Sequence, residues 1–299
     1  MKQRDPETDA EEIRILFLGD LCGEPGRRIV RTLLPRLRNT YRPDLVIVNG
    51  ENAAAGFGIS PKIFRELMEH GIDVVTLGNH ALHRREIFPV LNEVHDETSP
   101  IRIIRPANLP EAAPGVGMTI VPVRSDRIRT RLVRVAVYNL QGRVFMPPID
   151  CPFHEADRMI GITPEDVVIR FLDFHAEATS EKQMIGRYLD GRVSAVIGTH
   201  THVQTADETI FPHGTAFLND VGMCGAAESL IGCRIEPLLA TIHTGYSVRP
   251  EVASGPAILR GCLVSVHAGT GKASFIERIQ WDETAENGIC KNGTPWRTP

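Results

Sequence analysis

Near the start of the chain, short apolar runs alternate with segments of helical periodicity, and this alternation limits the fold more than any other feature. The runs are IRILFLG (13–19), LVIVNG (45–50) and DVVTLG (73–78), and helices are predicted at 27–39 and 61–70. A strand that is apolar throughout is covered on both faces, and a helical crossover makes consecutive strands parallel. The pattern therefore predicts an α/β fold with a layered sheet.

After a predicted helix at 84–94 the pattern changes to shorter runs, which predict further strands. Strands are expected at 101–105, 117–123, 131–140, 166–173 and 193–198, a Pro-rich loop at 146–153, and a helix at 177–189. Runs at 209–219, 258–267 and 272–281 look like antiparallel strands, which favours a mixed sheet or a two-sheet sandwich. No linker composition interrupts the middle, so we expect one domain at 13–281 with flexible tails at 1–12 and 282–299.

The charge balance argues against binding of a long polyanion. The formal net charge is -4 and the pI is near 6.3, whereas such binding normally needs a basic face. One basic run could contact nucleic acid, but such runs are more typical of a solvated hairpin or strand edge. Its members are Arg124, Arg127, Arg129, Arg131 and Arg134.

Cysteine usage and the absence of a long apolar segment predict a cytoplasmic protein. The six cysteines are scattered without a C-x-x-C pair, which favours reduced thiols. The N-terminal segment is acidic where a signal peptide would be apolar, and no run of 18 apolar residues occurs, so no membrane partner is expected.

Polar side chains follow the apolar runs at the points where sites form in α/β sheets. Four runs end in GD, GEN, GNH and GTHTH, and a fifth ends in DFHAE. Each residue alone has an ordinary explanation as a helix cap, a turn residue or a structural histidine. Five strand ends that carry only carboxylate, amide and imidazole groups together predict a metal site, whose residues are Asp20, Glu51, Asn52, Asn79, His80, His175, His200 and His202.

The types of ligand atom limit which metal ions the site could bind. Oxygen and imidazole donors without thiolate suit Mn²⁺, Fe or Zn²⁺ in higher coordination. So many donors exceed the need of one ion and suit two ions about 3.5–4 Å apart that share a carboxylate and a bridging hydroxide, an arrangement for in-line displacement at phosphorus. A dinucleotide or P-loop site is disfavoured, because GDLCGEPGR has neither G-x-G-x-x-G nor G-K-[ST]. That turn could still present helix amides and Arg27 to an anion.

Several longer segments resemble one family. GDLCGEPGR, VIVNGENAAAGFGIS, TLGNH, NLQGRVFMPPIDCPF, FHAEATSEK, GTHTHVQTAD and FLNDVGMCG resemble the calcineurin-like metallophosphoesterase superfamily and, more narrowly, its YmdB-like branch. The resemblance covers about residues 13–270. It implies a four-layer αββα sandwich of two mixed sheets and the activity of a bacterial cyclic-nucleotide phosphodiesterase.

The resemblance also implies a role for each site residue. One divalent ion, Mn or Fe first and Zn as an alternative, would be held by Asp20, Asn52 and His202. A second would be held by Asn79, His175 and His200, with Glu51 bridging the two. His80 would act on the leaving group without binding metal.

Two positions depart from the superfamily pattern. Cys22 stands where many members have a histidine, and Asn52 would substitute for that ligand. Leu82 and His83 stand where relatives commonly carry an aromatic residue and then an acid. His83 could line a substrate pocket or simply be exposed.

The predicted function is a dimetal phosphodiesterase in which a metal-bridging hydroxide attacks a cyclic nucleotide or a short RNA end. The 2′,3′-cyclic nucleotides are expected first and the 3′,5′-cyclic ones second, because strain in the 2′,3′-cyclic ring helps the leaving oxygen. Monoesters are expected to react much more slowly, because only Arg27 or Arg28 is near to balance their extra charge. Phe57, in the turn between Gly56 and Gly58, could stack on a base or anchor the core. A phosphomonoesterase and a nucleotide- or RNA-binding regulatory protein with vestigial activity are the alternatives, and a homo-oligomer is compatible with each.

Overall fold

The computed structural model describes residues 11–93, 97–128 and 132–283. Its strands are β1 Glu12–Leu18, β2 Asp20–Leu21, β3 Leu45–Asn49, β4 Val74–Thr76, β5 Ile103–Ile104, β6 Met118–Val123, β7 Val133–Gln141, β8 Ile169–His175, β9 Ala195–Thr199, β10 Thr209–Ile210, β11 Ala216–Leu218, β12 Met223–Ala226, β13 Ala257–His267 and β14 Ala273–Asp282. Its helices are α1 Gly23–Tyr41, α2 Pro61–Glu69, α3 Phe88–Leu91, α4 Pro152–Ile162, α5 Thr179–Tyr188 and α6 Ile235–Thr244, with a 3₁₀ turn at Arg85–Ile87.

The strands of the described residues form two mixed sheets. The first has the order β2-β12-β13-β1-β3-β4-β5, with β14 also paired to β13. In it β1, β3, β4 and β5 are parallel, while β13 runs antiparallel to β1 and β14. The second has the order β10-β11-β9-β8-β7-β6, of which β11, β9, β8 and β7 are parallel.

The two sheets pack face to face, and helices cover their outer faces. Phe17 of β1 meets Phe171 of β8 edge to face, with ring centroids 5.2 Å apart. One outer core joins α1 and α2 to the first sheet, and another joins α4 and α5 to the second. The structure therefore confirms the predicted αββα sandwich, and burial of three apolar layers is its main stabilising term.

The inward faces of the strands change from apolar to polar towards their carboxyl ends. In β8 the inward residues are Phe171, Asp173 and His175, because side chains alternate with a period of two. Ile47 is followed by Asn49 in β3, as Ile197 is by Thr199 in β9. The apolar core thus ends beneath a buried polar layer at one end of the sandwich.

Some predicted elements differ from the structure. The helix predicted at 84–94 is only the 3₁₀ turn and the four-residue α3, because Pro89 has no amide hydrogen and so interrupts the ladder of helical hydrogen bonds; Val94 lies outside the described residues. The run 209–219 is a hairpin of β10 and β11. The sequence analysis missed α4, α6 and β12, and Pro152 at the start of α4 is a usual helix-initiation signal.

The basic run lies at the β6–β7 connection. Arg127 bonds Asp44, and Arg134 of β7 bonds both Glu97 and Asp166. Arg129 and Arg131 lie outside the described residues, as do most of both predicted tails. Arg127 and Arg134 are therefore ion-paired at this hairpin, and Arg124 is exposed. None of the described helices is long and apolar enough to cross a membrane.

Candidate metal centre

The side chains predicted to bind metal lie together where the carboxyl ends of both sheets meet. Asp20 lies in β2 directly after β1, and His175 is the last residue of β8. The other predicted ligands occupy the turns that follow β3, β4 and β9, namely Glu51, Asn52, Asn79, His200 and His202. Because both sheets contribute, the centre depends on how the sandwich is packed.

His175 is at the middle of the first cluster of donors. Its Nε2 lies 2.9 Å from Asn79 Oδ1, 3.0 Å from His200 Nδ1 and 3.1 Å from Glu51 Oε1. Ligand atoms of Glu51, His175 and His200 all lie within 4.8 Å of one another. Oxygen and imidazole nitrogen atoms that converge in this way fit a divalent cation.

A second cluster lies on the other side of Glu51. Asn52 Nδ2 is 3.0 Å from His202 Nε2 and 3.3 Å from Glu51 Oε1, and a half-turn of the amide would present Oδ1 instead. Asp20 Oδ1 is 3.9 Å from His202 Nε2. That oxygen is buried and has no hydrogen-bond partner among the described residues. Since a buried unpaired carboxylate oxygen is costly, it fits a cation in contact with it.

The electrostatics of the centre favour positive charge. Burial raises the pKa of Asp20. Burial opposes ionisation of Glu51 too, but His175 and the backbone N–H of His80 outweigh it and hold the pKa of Glu51 at about 2. Burial would lower the pKa of His175, yet the carboxylates of Glu51, Asp20 and Asp173 raise it to about 9. A site that holds a proton this strongly also attracts a metal cation.

His80 lies beside the donors. Its backbone N–H donates to Glu51 Oε2 at 3.0 Å, and its Nε2 lies 3.2 Å from Asn79 Nδ2. Burial lowers the pKa of His80. His83 is exposed and its ring stacks on Phe57, with centroids 5.5 Å apart.

The arginines and the cysteine named by the sequence have structural contacts. Arg27 donates to Ala53 O, and Arg28 is paired with Glu24 at 2.7 Å and with Glu283 at 2.9 Å. Cys22 is buried against Gly232, whose added Cβ would lie 2.3 Å from its Sγ. Arg28 is thus ion-paired within the protein, and Arg27 Nη1 is used by the main chain.

Comparisons with known proteins agree with this geometry. A family model described as YmdB-like protein matches residues 16–279. The chain belongs to the YmdB-like family. A Bacillus subtilis (strain 168) relative named 2′,3′-cyclic-nucleotide 2′-phosphodiesterase is 45% identical over 267 residues, which is 89% of this chain and 96% of the relative.

Two solved structures resemble this YmdB-like chain closely. A hypothetical protein from Thermus thermophilus has a TM-score of 0.80 and 40% identity, covering 91% of this chain and 100% of that one. A protein described as a novel phosphatase from Mycoplasma pneumoniae has a TM-score of 0.81 and 32% identity, covering 93% and 96%.

A buried network that the sequence analysis missed fixes His175 in this YmdB-like chain. Thr199 Oγ1 donates to Asp173 Oδ1 at 2.7 Å, so it accepts from His175 Nδ1 at 2.9 Å. This leaves Nε2 as the ring nitrogen that faces the other ligand atoms, where a bound cation would take the place of its proton. Asn49 Nδ2 also donates to Asp173, at 3.0 Å, and burial raises the pKa of Asp173 to about 7. The sequence did carry a signal for the partnership of Asp173 with His175, because the D-x-H spacing in β8 places both side chains on one face of the strand.

A second buried pair holds the turn that carries two of the histidines. His200 and His202 have φ angles of 99° and 66°, which side-chain-bearing residues rarely adopt. Asp220 Oδ2 accepts from Thr201 N at 3.1 Å and from Lys182 Nζ at 2.7 Å. Strained backbone of this kind persists only where its surroundings hold it. In this YmdB-like chain the buried Lys182–Asp220 pair holds the turn through Thr201 N.

Gly78 is needed where the first sheet meets the centre. A Cβ at this position would lie 2.3 Å from Glu51 Oε2 and 2.3 Å from His175 Cδ2. Any side chain would therefore displace two of the donors.

Proposed function

We propose that this chain is a metal-dependent phosphodiesterase that hydrolyses cyclic nucleotides, with 2′,3′-cyclic nucleotides as the preferred class. The observation that carries the proposal is the convergence of carboxylate, amide and imidazole donors on His175 and Glu51, beside an Asp20 Oδ1 that has no hydrogen-bond partner among the described residues. The name of the Bacillus subtilis relative supports the substrate class.

Two divalent ions, Mn or Fe first, fit the two clusters. Asp20, Asn52 and His202 would hold one ion, and Asn79, His175 and His200 the other, with Glu51 shared between them. Bound cations would supply an acidified water and positive charge for the phosphate oxygens.

His80 would assist the leaving group. It is half-buried at the edge of the centre, and its backbone is fixed by Glu51. As the P–O bond breaks, the imidazole donates a proton or hydrogen bond to the departing alkoxide, a contribution of about 10²–10⁴-fold for a positioned acid. Glu51 therefore orients His80 through the main chain while it also serves the ions.

The balance of positive charge favours a diester. A monoester dianion carries more charge than a diester monoanion and needs more cationic contacts. The described arginines around the centre donate to protein acceptors: Arg27 to Ala53 O, Arg28 to Glu24 and Glu283, and Arg84 to Ala54 O and Phe57 O. A single negative charge is therefore better matched, and the strain of a 2′,3′-cyclic ring helps the leaving oxygen.

The test is a comparison of kcat/KM for matched substrates in the presence of Mn²⁺. We expect 2′,3′-cyclic AMP to be the best substrate, with 3′,5′-cyclic AMP and bis(4-nitrophenyl) phosphate slower and the 2′- and 3′-monophosphates much slower. If a nucleoside monophosphate is hydrolysed faster than every diester, the chain is a monoesterase. If no substrate is turned over while nucleotide still binds, it is a regulatory binding protein.

A further inference from the structure

Among the described residues, the His80 ring has no acidic partner. No carboxylate of the described residues lies within ion-pair distance of a His80 ring nitrogen. The nearest polar contact of the ring is the Asn79 amide, which also faces His175. Because a proton donor must be aimed at the leaving oxygen, another feature has to fix this imidazole.

Two neighbouring rings enclose the His80 imidazole. Phe57 meets it edge to face, with centroids 4.9 Å apart and an interplanar angle of 88°. His83 meets it at 5.1 Å and 79°, and His83 and Phe57 are themselves stacked at 25°. The backbone N–H of His83 donates to His80 O at 3.0 Å, so the two histidines share one tight turn. The imidazole is thereby restrained by ring packing.

A guanidinium fastens the loop that supplies Phe57. Arg84 Nε donates to Phe57 O at 3.0 Å, and Arg84 Nη2 donates to Ala54 O at 3.0 Å. Gly58, with a φ of 73°, packs so closely on this side chain that a Cβ would lie 3.0 Å from Arg84 Cγ. Arg84 follows His83 directly, so one short segment holds both the loop and the second ring.

We propose that Phe57 and His83 are positioning residues that hold the His80 imidazole towards the leaving group, in place of an acid. The proposal rests on the function proposed above for His80. His83 acts here through the faces of its ring, so its nitrogen atoms are dispensable.

The experiment compares two diesters that differ in their need for a proton. The alkoxide that leaves from 2′,3′-cyclic AMP needs protonation, whereas the 4-nitrophenolate that leaves from bis(4-nitrophenyl) phosphate does not. We expect Phe57→Ala and His83→Ala to lower kcat for the cyclic nucleotide about 10-fold or more, and for the aryl diester by less than about 3-fold. His83→Phe should recover most of the lost kcat, because it keeps the ring packing.

Controls separate this role from a structural one. Metal content should be unchanged in all variants, and Ile162→Ala, an exposed substitution at the end of α4, should alter neither substrate. Equal losses on both diesters, or a His83→Phe variant as slow as His83→Ala, would overturn the proposal. His80→Ala is the reference variant. If it slows the cyclic nucleotide much more than the aryl diester, while the Phe57 and His83 variants slow both equally, only the positioning proposal fails. If His80→Ala slows both diesters equally, the role of His80 is wrong and the positioning proposal falls with it.

Discussion

His175 illustrates how single residues receive one chemical role in this molecule. Its Nδ1–H donates a hydrogen bond to Thr199, whose hydroxyl donates to Asp173, so Nε2 is the ring nitrogen that faces the centre. Imidazole ligands in metal sites are commonly fixed by such a partner. The sequence identifies the histidine, but the partner lies on another strand and becomes visible only in the fold.

Thr199→Val tests this fixation. The substitution keeps the shape of the side chain but removes the hydroxyl, so His175 loses the acceptor that defines its tautomer. We expect metal affinity to fall about 10–100-fold, as for other partners of metal ligands. Thr199→Ser keeps the hydroxyl and should retain most of the affinity. Unchanged metal affinity in the valine variant would show that the hydroxyl does not orient His175.

Glu51→Ala tests the shared carboxylate. Its Oε1 lies 3.1 Å from His175 Nε2 and 3.3 Å from Asn52 Nδ2, between the two clusters. We therefore expect the variant to lose metal at both sites, measured by elemental analysis of the purified protein. Glu155→Gln, at a half-buried carboxylate of α4 that pairs with Arg158, is the matched control and should keep its metal. Loss of only one ion would remove Glu51 from the bridging position.

His80→Ala separates a proton donor from a ligand. We expect the variant to keep its metal and to lose about 10²–10⁴-fold in kcat. His213→Ala, at an exposed histidine paired with Asp190, should change neither quantity. If His80→Ala lost metal while turnover per bound ion stayed the same, His80 would be a ligand.

At the scale of elements, the strands that build the centre were predicted from the sequence, whereas several surface elements were not. Continuous apolar runs ending in glycine or polar turns identify β1, β3, β4 and β9, because a parallel strand that is buried on both faces is apolar at nearly every position. The exposed α6 has no buried residues and was not predicted, although its apolar residues recur with helical spacing at 235, 238, 239 and 242. The long helix predicted at 84–94 was wrong for a local reason, because Pro89 has no amide hydrogen to donate.

The turn after β9 depends on a buried ion pair that periodicity does not reveal. Lys182 of α5 is 1% exposed and bonds Asp220, which in turn holds Thr201 between the two site histidines. We predict that Lys182→Met destabilises the protein by about 3–5 kcal/mol, because it leaves a buried carboxylate without its cation. Urea unfolding measures this, and Arg158→Ala, which breaks an exposed pair with Glu155, should cost less than about 1 kcal/mol. Similar costs for the two variants would mean that Asp220 is stabilised by its hydrogen bonds alone.

At the scale of the whole molecule, the site exists because two sheets meet. Donors from the first sheet, such as Asp20 and Glu51, are brought to donors from the second, such as His175, by the core that includes Phe17 and Phe171. The sequence indicates which strand ends carry donors, but the distances between sheets follow from packing. This is why the ligand residues could be named from the sequence while the buried partners Thr199 and Asp220 could not.

The central claim is that this centre needs two divalent ions to hydrolyse a phosphodiester. Its most direct test is a titration of Mn²⁺ into chelator-treated protein, with the initial rate of 2′,3′-cyclic AMP hydrolysis measured at each addition. We predict no turnover without metal and a rate that saturates near two equivalents per chain. Full activity in the metal-free protein, or saturation at a single equivalent, would contradict the account.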